Sequence, residues 1–192
     1  MMLKKKWFSK NEKGETVTME RQQLKKLVLI GFMGTGKSTV SRLLSEKLGW
    51  KRVDGDEEIE RLENKRISDI FADDGEAGFR VIETKVLESI LANEECAVVA
   101  TGGGAVLSAV NRELMLKNGY VVALKASPEQ IIARVKSDTE RPLLQGDAVE
   151  RVTLLLAQRK HAYDFAHLTI DTTNMSAEEV VAAILEQWVI QQ

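Results

Sequence analysis

The chain has 192 residues, with 27 Lys and Arg against 29 Asp and Glu, for a net charge of −2. That length suits one domain with its own core, and the near-neutral balance excludes the broad basic signature of a nucleic-acid-binding protein. No apolar run approaches a membrane span, no apolar stretch follows Lys4 to Lys6 as a secretory signal requires, and the one cysteine, Cys96, excludes an internal disulfide and fits a reducing cytoplasm.

Residues 1–23 are polar, mixed in charge and without periodicity, and are expected to form a mobile tail before a single domain over residues 24–192. Trp7 and Phe8 beside the lysines suit either a solvated tail or a contact with a membrane surface, and Met19 is a second candidate start. Leu27-Val28-Leu29-Ile30 reads as a short buried strand, and Thr39 to Leu44 carries a helical pattern that closes at Leu48-Gly49. Between them residues 31–38 read G-F-M-G-T-G-K-S. Strand, glycine-rich loop and helix form the context of a phosphate-binding P-loop. The glycines let backbone N–H groups turn towards an anion, and the helix N-terminus adds partial positive charge there. Lys37 reaches the β- and γ-phosphates of a nucleotide, and the Ser38 hydroxyl takes a place on Mg²⁺. The alternative, a glycine-rich turn that binds nothing, fits poorly with every fixed position filled.

Trp50 to Val53 predicts a second strand, ending in Asp54-Gly55-Asp56, and Glu57 to Leu62 opens a helix for which Asp56 suits the N-cap. Ser68 is expected to cap a short turn over residues 69–71. The apolar spacing of Phe79, Ile82, Val86 and Ile90 predicts a long helix from about Glu76 to Ala92. Cys96 to Ala100 is a continuous apolar run, the pattern of a strand buried on both faces, with Cys96 expected to be a small buried residue. It ends in Thr101-Gly102-Gly103-Gly104. A helix over residues 108–118, a strand over 120–124 and a helix opened by Ser127-Pro128-Glu129-Gln130 and fading near Lys136 follow. Residues 137–146 are polar, contain Pro142, and are expected to form a mobile loop. Residues 147–163 are helical by pattern, His167 to Asp171 is a last strand, and Ser176-Ala177-Glu178-Glu179 is a capping box for the final helix.

Strands alternating with helices predict an α/β fold, a parallel sheet covered on both faces, with ligands outside the C-terminal strand ends. Three clusters fall at such ends: the P-loop, Asp54 to Asp56, and Gly102 to Gly104. Many P-loop proteins hold their metal with an aspartate that ends an apolar strand. The 96–100 strand ends in Thr and Gly, so Asp54 is the candidate metal carboxylate, acting through a metal-bound water. Asp56 is a cap, a ligand, or both. Arg80, Arg141 and Arg159 are each either surface residues or cations for an anionic substrate. Glu83, three residues beyond Arg80 on one helical face, is placed to hold its guanidinium.

In order along the chain, G-F-M-G-T-G-K-S-T, D-G-D-E-E-I-E, I-F-A-D-D-G-E-A-G-F-R-V-I-E, T-G-G-G-A, R-P-L-L, R-K-H-A-Y and A-H-L-T-I-D-T resemble shikimate kinase from about Leu27 to the C-terminus. The resemblance implies a P-loop kinase of three-layer α/β/α form, with a five-stranded parallel sheet and a lid over residues 137–146. It implies ATP as co-substrate with Mg²⁺, and transfer of a phosphoryl group to the shikimate 3-hydroxyl in aromatic amino-acid synthesis. Gly34, Thr35, Gly36, Lys37, Ser38 and Thr39 would hold the ATP phosphates, with Ser38 and Asp54 at the metal. Asp56 would bind the shikimate hydroxyls, either as general base or only orienting the acceptor. Arg80 and Arg159 would grip the carboxylate, Gly102, Gly103 and Gly104 would wall the ring, and Arg141 would close on ATP. Catalysis would rest on Lys37, Asp56 and Arg141. A monomer is expected, with no nucleic-acid or membrane partner. His161, where a proline is common in the family, and His167 carry no assigned role. A kinase for another small acceptor such as gluconate is the nearest alternative, and a non-catalytic nucleotide-binding module is the alternative of a different class.

Overall fold

A computed structural model describes residues 6–10, 16–20, 24–136 and 148–191. Five parallel strands form one sheet in the order β4-β5-β3-β6-β7: β3 Lys26–Gly31, β4 Lys51–Asp54, β5 Ala97–Ala100, β6 Tyr120–Lys125 and β7 Leu168–Asp171. The helices are α1 Lys37–Leu48, α2 Gly55–Glu63, α3 Ile67–Ala92, α4 Ala109–Asn118, α5 Pro128–Lys136, α6 Ala148–Gln158 and α7 Ala177–Gln191. The apolar runs of β3, β5 and β6 sort by alternation onto two faces. Leu27, Leu29, Val98, Val122 and Leu124 pack with Val40 and Leu44 of α1 and Val181, Ile184 and Trp188 of α7. Val28, Ile30, Val99, Val121 and Ala123 pack with Leu87 of α3, Met115 of α4, Ile131 of α5 and Val152 of α6. The predicted three-layer α/β/α architecture is present. Among the described residues no helix is long and apolar enough to cross a membrane.

Several boundaries differ from the sequence reading, each for a physical reason. Residues 6–10 and 16–20, expected to lack regular structure, pair as antiparallel strands β1 and β2 in a register that sets Lys6 opposite Glu20 and Lys10 opposite Thr16. The run Thr16-Val17-Thr18 is β-branched, which favours a strand. Ser68 caps nothing: α3 begins one residue earlier, after Arg66 in an extended conformation. The helix expected from Glu76 is joined to the preceding turns across Gly75, whose φ of 68° and ψ of −177° break the helical path. Cys96 lies one residue outside β5 and is exposed, not buried. The helical pattern over 147–163 stops at Gln158, and the chain tightens into turns closed by Ala162 N–H to Arg159 O at 3.0 Å and Ala166 N–H to Tyr163 O at 3.3 Å. The expected loop over 137–146, with Arg141, lies outside the described residues, as does Asp147.

Parallel pairing puts the C-terminal ends of β3, β4 and β5 on one edge of the sheet. Asp54 ends β4 level with Ala100, and Leu29 of β3 is level with that same residue. The P-loop, the Asp54–Asp56 turn and the Thr101–Gly104 segment therefore leave the sheet side by side.

Candidate active site

The P-loop is built for an anion. Gly34 and Gly36 take φ of 76° and 94°, in the left-handed region that a side chain disfavours. A Cβ on Gly36 would meet nothing within 4 Å, so the space beside it is open. No side chain caps α1, whose N-cap is Gly36, and the first-turn Ser38 and Thr39 are exposed. Lys37 curls back across the loop, donating to the carbonyls of Gly31 at 2.8 Å and Phe32 at 3.0 Å. Thr35 is buried and braces the turn by donating to Phe32 O at 2.8 Å.

Asp54, not Asp56, is the N-cap of α2: its Oδ1 accepts the Asp56 backbone N–H at 3.1 Å. The strand runs one residue beyond the expected end at Val53, to Asp54, which takes the extended conformation of a cap and puts Asp56 inside the first turn. Arg52 Nη2 donates to Asp54 Oδ2 at 3.1 Å, so both Asp54 oxygens are oriented by neighbours. The Asp56 carboxylate instead points at the glycine segment. A Cβ on Gly102 would lie 2.7 Å from Asp56 Oδ1 and 3.1 Å from Glu83 Oε1.

On α3, Arg80 lies between two acids: Nη1 donates to Glu83 Oε2 at 2.8 Å and Nη2 to Glu76 Oε1 at 3.0 Å. Glu83, only 5 % exposed, is the buried anchor of this pair. Burial raises the Glu83 carboxyl above its ordinary value and the Asp56 charge raises it further, while Arg80 and Arg159 pull it down. For Arg80, burial works against the charge, and the Glu83 and Glu76 carboxylates together outweigh it, holding the guanidinium above its ordinary value. The backbone at Gly104 passes directly under this fork. A Cβ there would lie 2.5 Å from Arg80 Nη2 and 2.7 Å from Nη1. Arg159 stands on the other side, donating from Nη1 to Gly103 O at 3.3 Å, with its Cζ 5.7 Å from the Phe32 ring of the P-loop. Gly103 itself packs on the P-loop: its Cβ position is 3.5 Å from Gly31 O and Met33 N.

The structure thus brings Asp56, Arg80, Arg159 and Gly102 to Gly104 together beside the start of the P-loop, where Gly103 and Arg159 meet residues Gly31 to Met33, while Arg141 is outside the described residues. Two residues were missed in the sequence. Tyr163, buried, donates its hydroxyl to Gly103 O at 3.0 Å. Its spacing of four from Arg159 was the available signal. Arg134 Nη1 donates to Gly34 O at 3.1 Å across 100 residues, a contact with no local signature. His167 also has a place: its Nδ1 accepts the Val121 N–H at 2.9 Å, and its ring stacks on Tyr120.

A phosphate loop beside a small cluster of Asp56, Glu83 and two guanidinium groups, on an α/β sheet, defines a P-loop kinase for a small acceptor. The family model for shikimate kinase matches residues 33–189. A shikimate kinase from Geobacter metallireducens is 46% identical over 162 residues, 84% of this chain and 90% of that protein. One from Pelotomaculum thermopropionicum is 44% identical over 84% of this chain and 94% of its own. The solved shikimate kinase from Acinetobacter baumannii, in complex with shikimate, superposes with a TM-score of 0.83 at 39% identity, covering 89% of this chain and 96% of its own. The chain belongs to the shikimate kinase family, ATP-dependent kinases that act on shikimate.

Proposed function

We propose that the chain moves the γ-phosphoryl group of ATP to the 3-hydroxyl of shikimate, with Arg80 and Arg159 on the carboxylate, Asp56 on the hydroxyls and the P-loop on the triphosphate. The observation that carries this assignment is the side-chain-free wall of Gly102 to Gly104. It has Asp56 against one end and the Arg80 fork against the other, with Arg159 bonded to its middle residue. A flat ring with a carboxylate at one edge and hydroxyls at the other fits that order of charges.

Phosphoryl transfer has a loose transition state, so alignment and charge neutralisation do most of the work. In the reaction the bond from the β–γ bridging oxygen to the γ-phosphorus breaks as the acceptor oxygen bonds to that phosphorus. Asp56 orients the acceptor hydroxyl and receives its proton. Lys37, now held on two loop carbonyls, turns to the phosphate oxygens, which are stronger acceptors for an ammonium group. The resemblance adds Arg141 as a further cation facing the transferring group. Thr35, Gly36, Ser38 and Thr39 supply the backbone cradle with Gly34.

The donor set fits Mg²⁺: the exposed Ser38 hydroxyl would be a hard oxygen ligand, and the Asp54 carboxylate, whose two oxygens already accept hydrogen bonds, would act through a metal-bound water. Among the described residues no group of three or more His, Cys, Asp or Glu is placed to hold a metal ion alone. That suits an ion that arrives with the nucleotide and keeps several of its waters. When bound, Mg²⁺ neutralises phosphate charge. The chain is proposed to work as a cytoplasmic monomer without nucleic-acid partners, which agrees with its slightly acidic balance.

An ADP-release assay across shikimate, quinate, gluconate and nucleoside monophosphates tests the assignment. Shikimate is expected to support turnover well above the others. Equal or faster turnover with gluconate or a nucleoside monophosphate would overturn it.

A further inference from the structure

Two side chains leave the turns after α6 and meet on one backbone oxygen. Arg159 Nη1 reaches the Gly103 carbonyl at 3.3 Å and the Tyr163 hydroxyl reaches it at 3.0 Å. The two donors differ in kind. The tyrosine ring is fixed in the core beside Val152 and Ile131, and is 5 % exposed. Burial raises its phenol pKa, against the pull of the adjacent Arg159 charge, so the hydroxyl stays a donor. Arg159 is on a longer, weaker bond, with a charged fork better suited to a carboxylate than to an amide oxygen.

An incoming carboxylate therefore competes for the Arg159 N–H. If Arg159 were the only donor, its departure would leave the partly buried Gly103 carbonyl unsatisfied, at the cost of an orphaned acceptor. Tyr163 removes that cost, because the carbonyl keeps one good donor throughout.

We propose that Tyr163 is a positioning residue for the acceptor carboxylate: by holding the Gly103 carbonyl it releases the Arg159 fork to the substrate. The proposal rests on the reading that Arg159 grips that carboxylate. Tyr163 touches no reacting atom in this scheme, so its effect falls on acceptor binding and not on the nucleotide.

Steady-state kinetics of the full chain with Tyr163→Phe, Arg159→Ala and both together, varying shikimate and ATP in turn, test it. Phenylalanine keeps the ring in the core, and a melting curve checks that the fold is intact. Tyr163→Phe is expected to raise the shikimate KM about 10-fold, to leave the ATP KM and kcat within about 2-fold, and to have no further effect once Arg159 is alanine. A shikimate KM unchanged by Tyr163→Phe overturns the proposal. So does the same 10-fold effect in the Arg159→Ala background, which would mark a merely structural tyrosine. If Arg159→Ala alone leaves the shikimate KM unchanged, the failure lies in the reading of Arg159, and the proposal falls with it.

Discussion

Gly104→Ala is the sharpest test of the acceptor pocket, because the added atom has only one place to go. Its Cβ would lie 2.5 Å from Arg80 Nη2, 2.7 Å from Nη1 and 2.9 Å from Cζ. Carbon and nitrogen settle at about 3.5 Å or more, so the fork must back away by about 1 Å. The guanidinium is the end of a flexible side chain, so the fold accommodates the shift at the cost of loosening its bond to Glu83, about 1.5–3 kcal/mol, within the range of an ordinary substitution. Function has no such slack. Arg80 is held at 2.8 Å by the buried Glu83, and a displaced fork loses both that register and its aim at the substrate. A charge-assisted hydrogen bond contributes about 1.5–3 kcal/mol, which corresponds to about a 10- to 150-fold fall in kcat/KM for shikimate. The assay is coupled ADP release with shikimate varied at saturating ATP, then the reverse, beside a melting curve. A shikimate kcat/KM within 2-fold of the parent, in a folded variant, would refute the placement of Arg80 at the acceptor.

Three other outcomes follow from the same geometry. Arg80→Ala is expected to raise the shikimate KM at least about 10-fold while ATP binding survives, measured by nucleotide titration; loss of ATP binding with an intact fold would contradict its place in the acceptor pocket. Lys37→Met is expected to give a folded protein with turnover reduced at least about 100-fold in single-turnover assays, and near-normal turnover would remove the loop from the mechanism. His167 accepts a backbone N–H on Nδ1, and partial desolvation lowers its pKa. Its neutral form is therefore favoured by the fold, so its contribution is complete above the ordinary histidine value and is lost as pH falls through the lowered folded value. Chemical denaturation of the parent and of His167→Phe across the mildly acidic range should show the parent losing stability relative to the variant as pH falls, and parallel curves would count against it.

The sequence carried what local physics decides. Continuous apolar runs marked β3, β5 and β6, because strands buried on both faces read as hydrophobic segments, while the edge strands β4 and β7 carry mixed sequences and were legible from their place between helices. The Ser176 capping box closes as expected, Ser176 N–H on Glu179 Oε2 at 2.7 Å and Glu179 N–H on Ser176 Oγ at 3.2 Å. The Glu83 grip on Arg80 was legible because three-residue spacing on a helix is a contact. What misled was any choice that tertiary placement settles. Asp54 and Asp56 are both good caps, and only the end of β4 decides between them. Cys96 begins an apolar run, yet the strand starts one residue later and leaves it at the surface. Tyr163 on Gly103 and Arg134 on Gly34 join segments 60 and 100 residues apart, which periodicity does not encode.

A crystal of the chain with shikimate and a non-hydrolysable ATP analogue tests the central claim most directly. The shikimate carboxylate should lie between the Arg80 and Arg159 guanidinium groups, its ring on Gly102 to Gly104, and its 3-hydroxyl between Asp56 and the third phosphate. A carboxylate bound away from both arginines, or a 3-hydroxyl facing away from the P-loop, would contradict it.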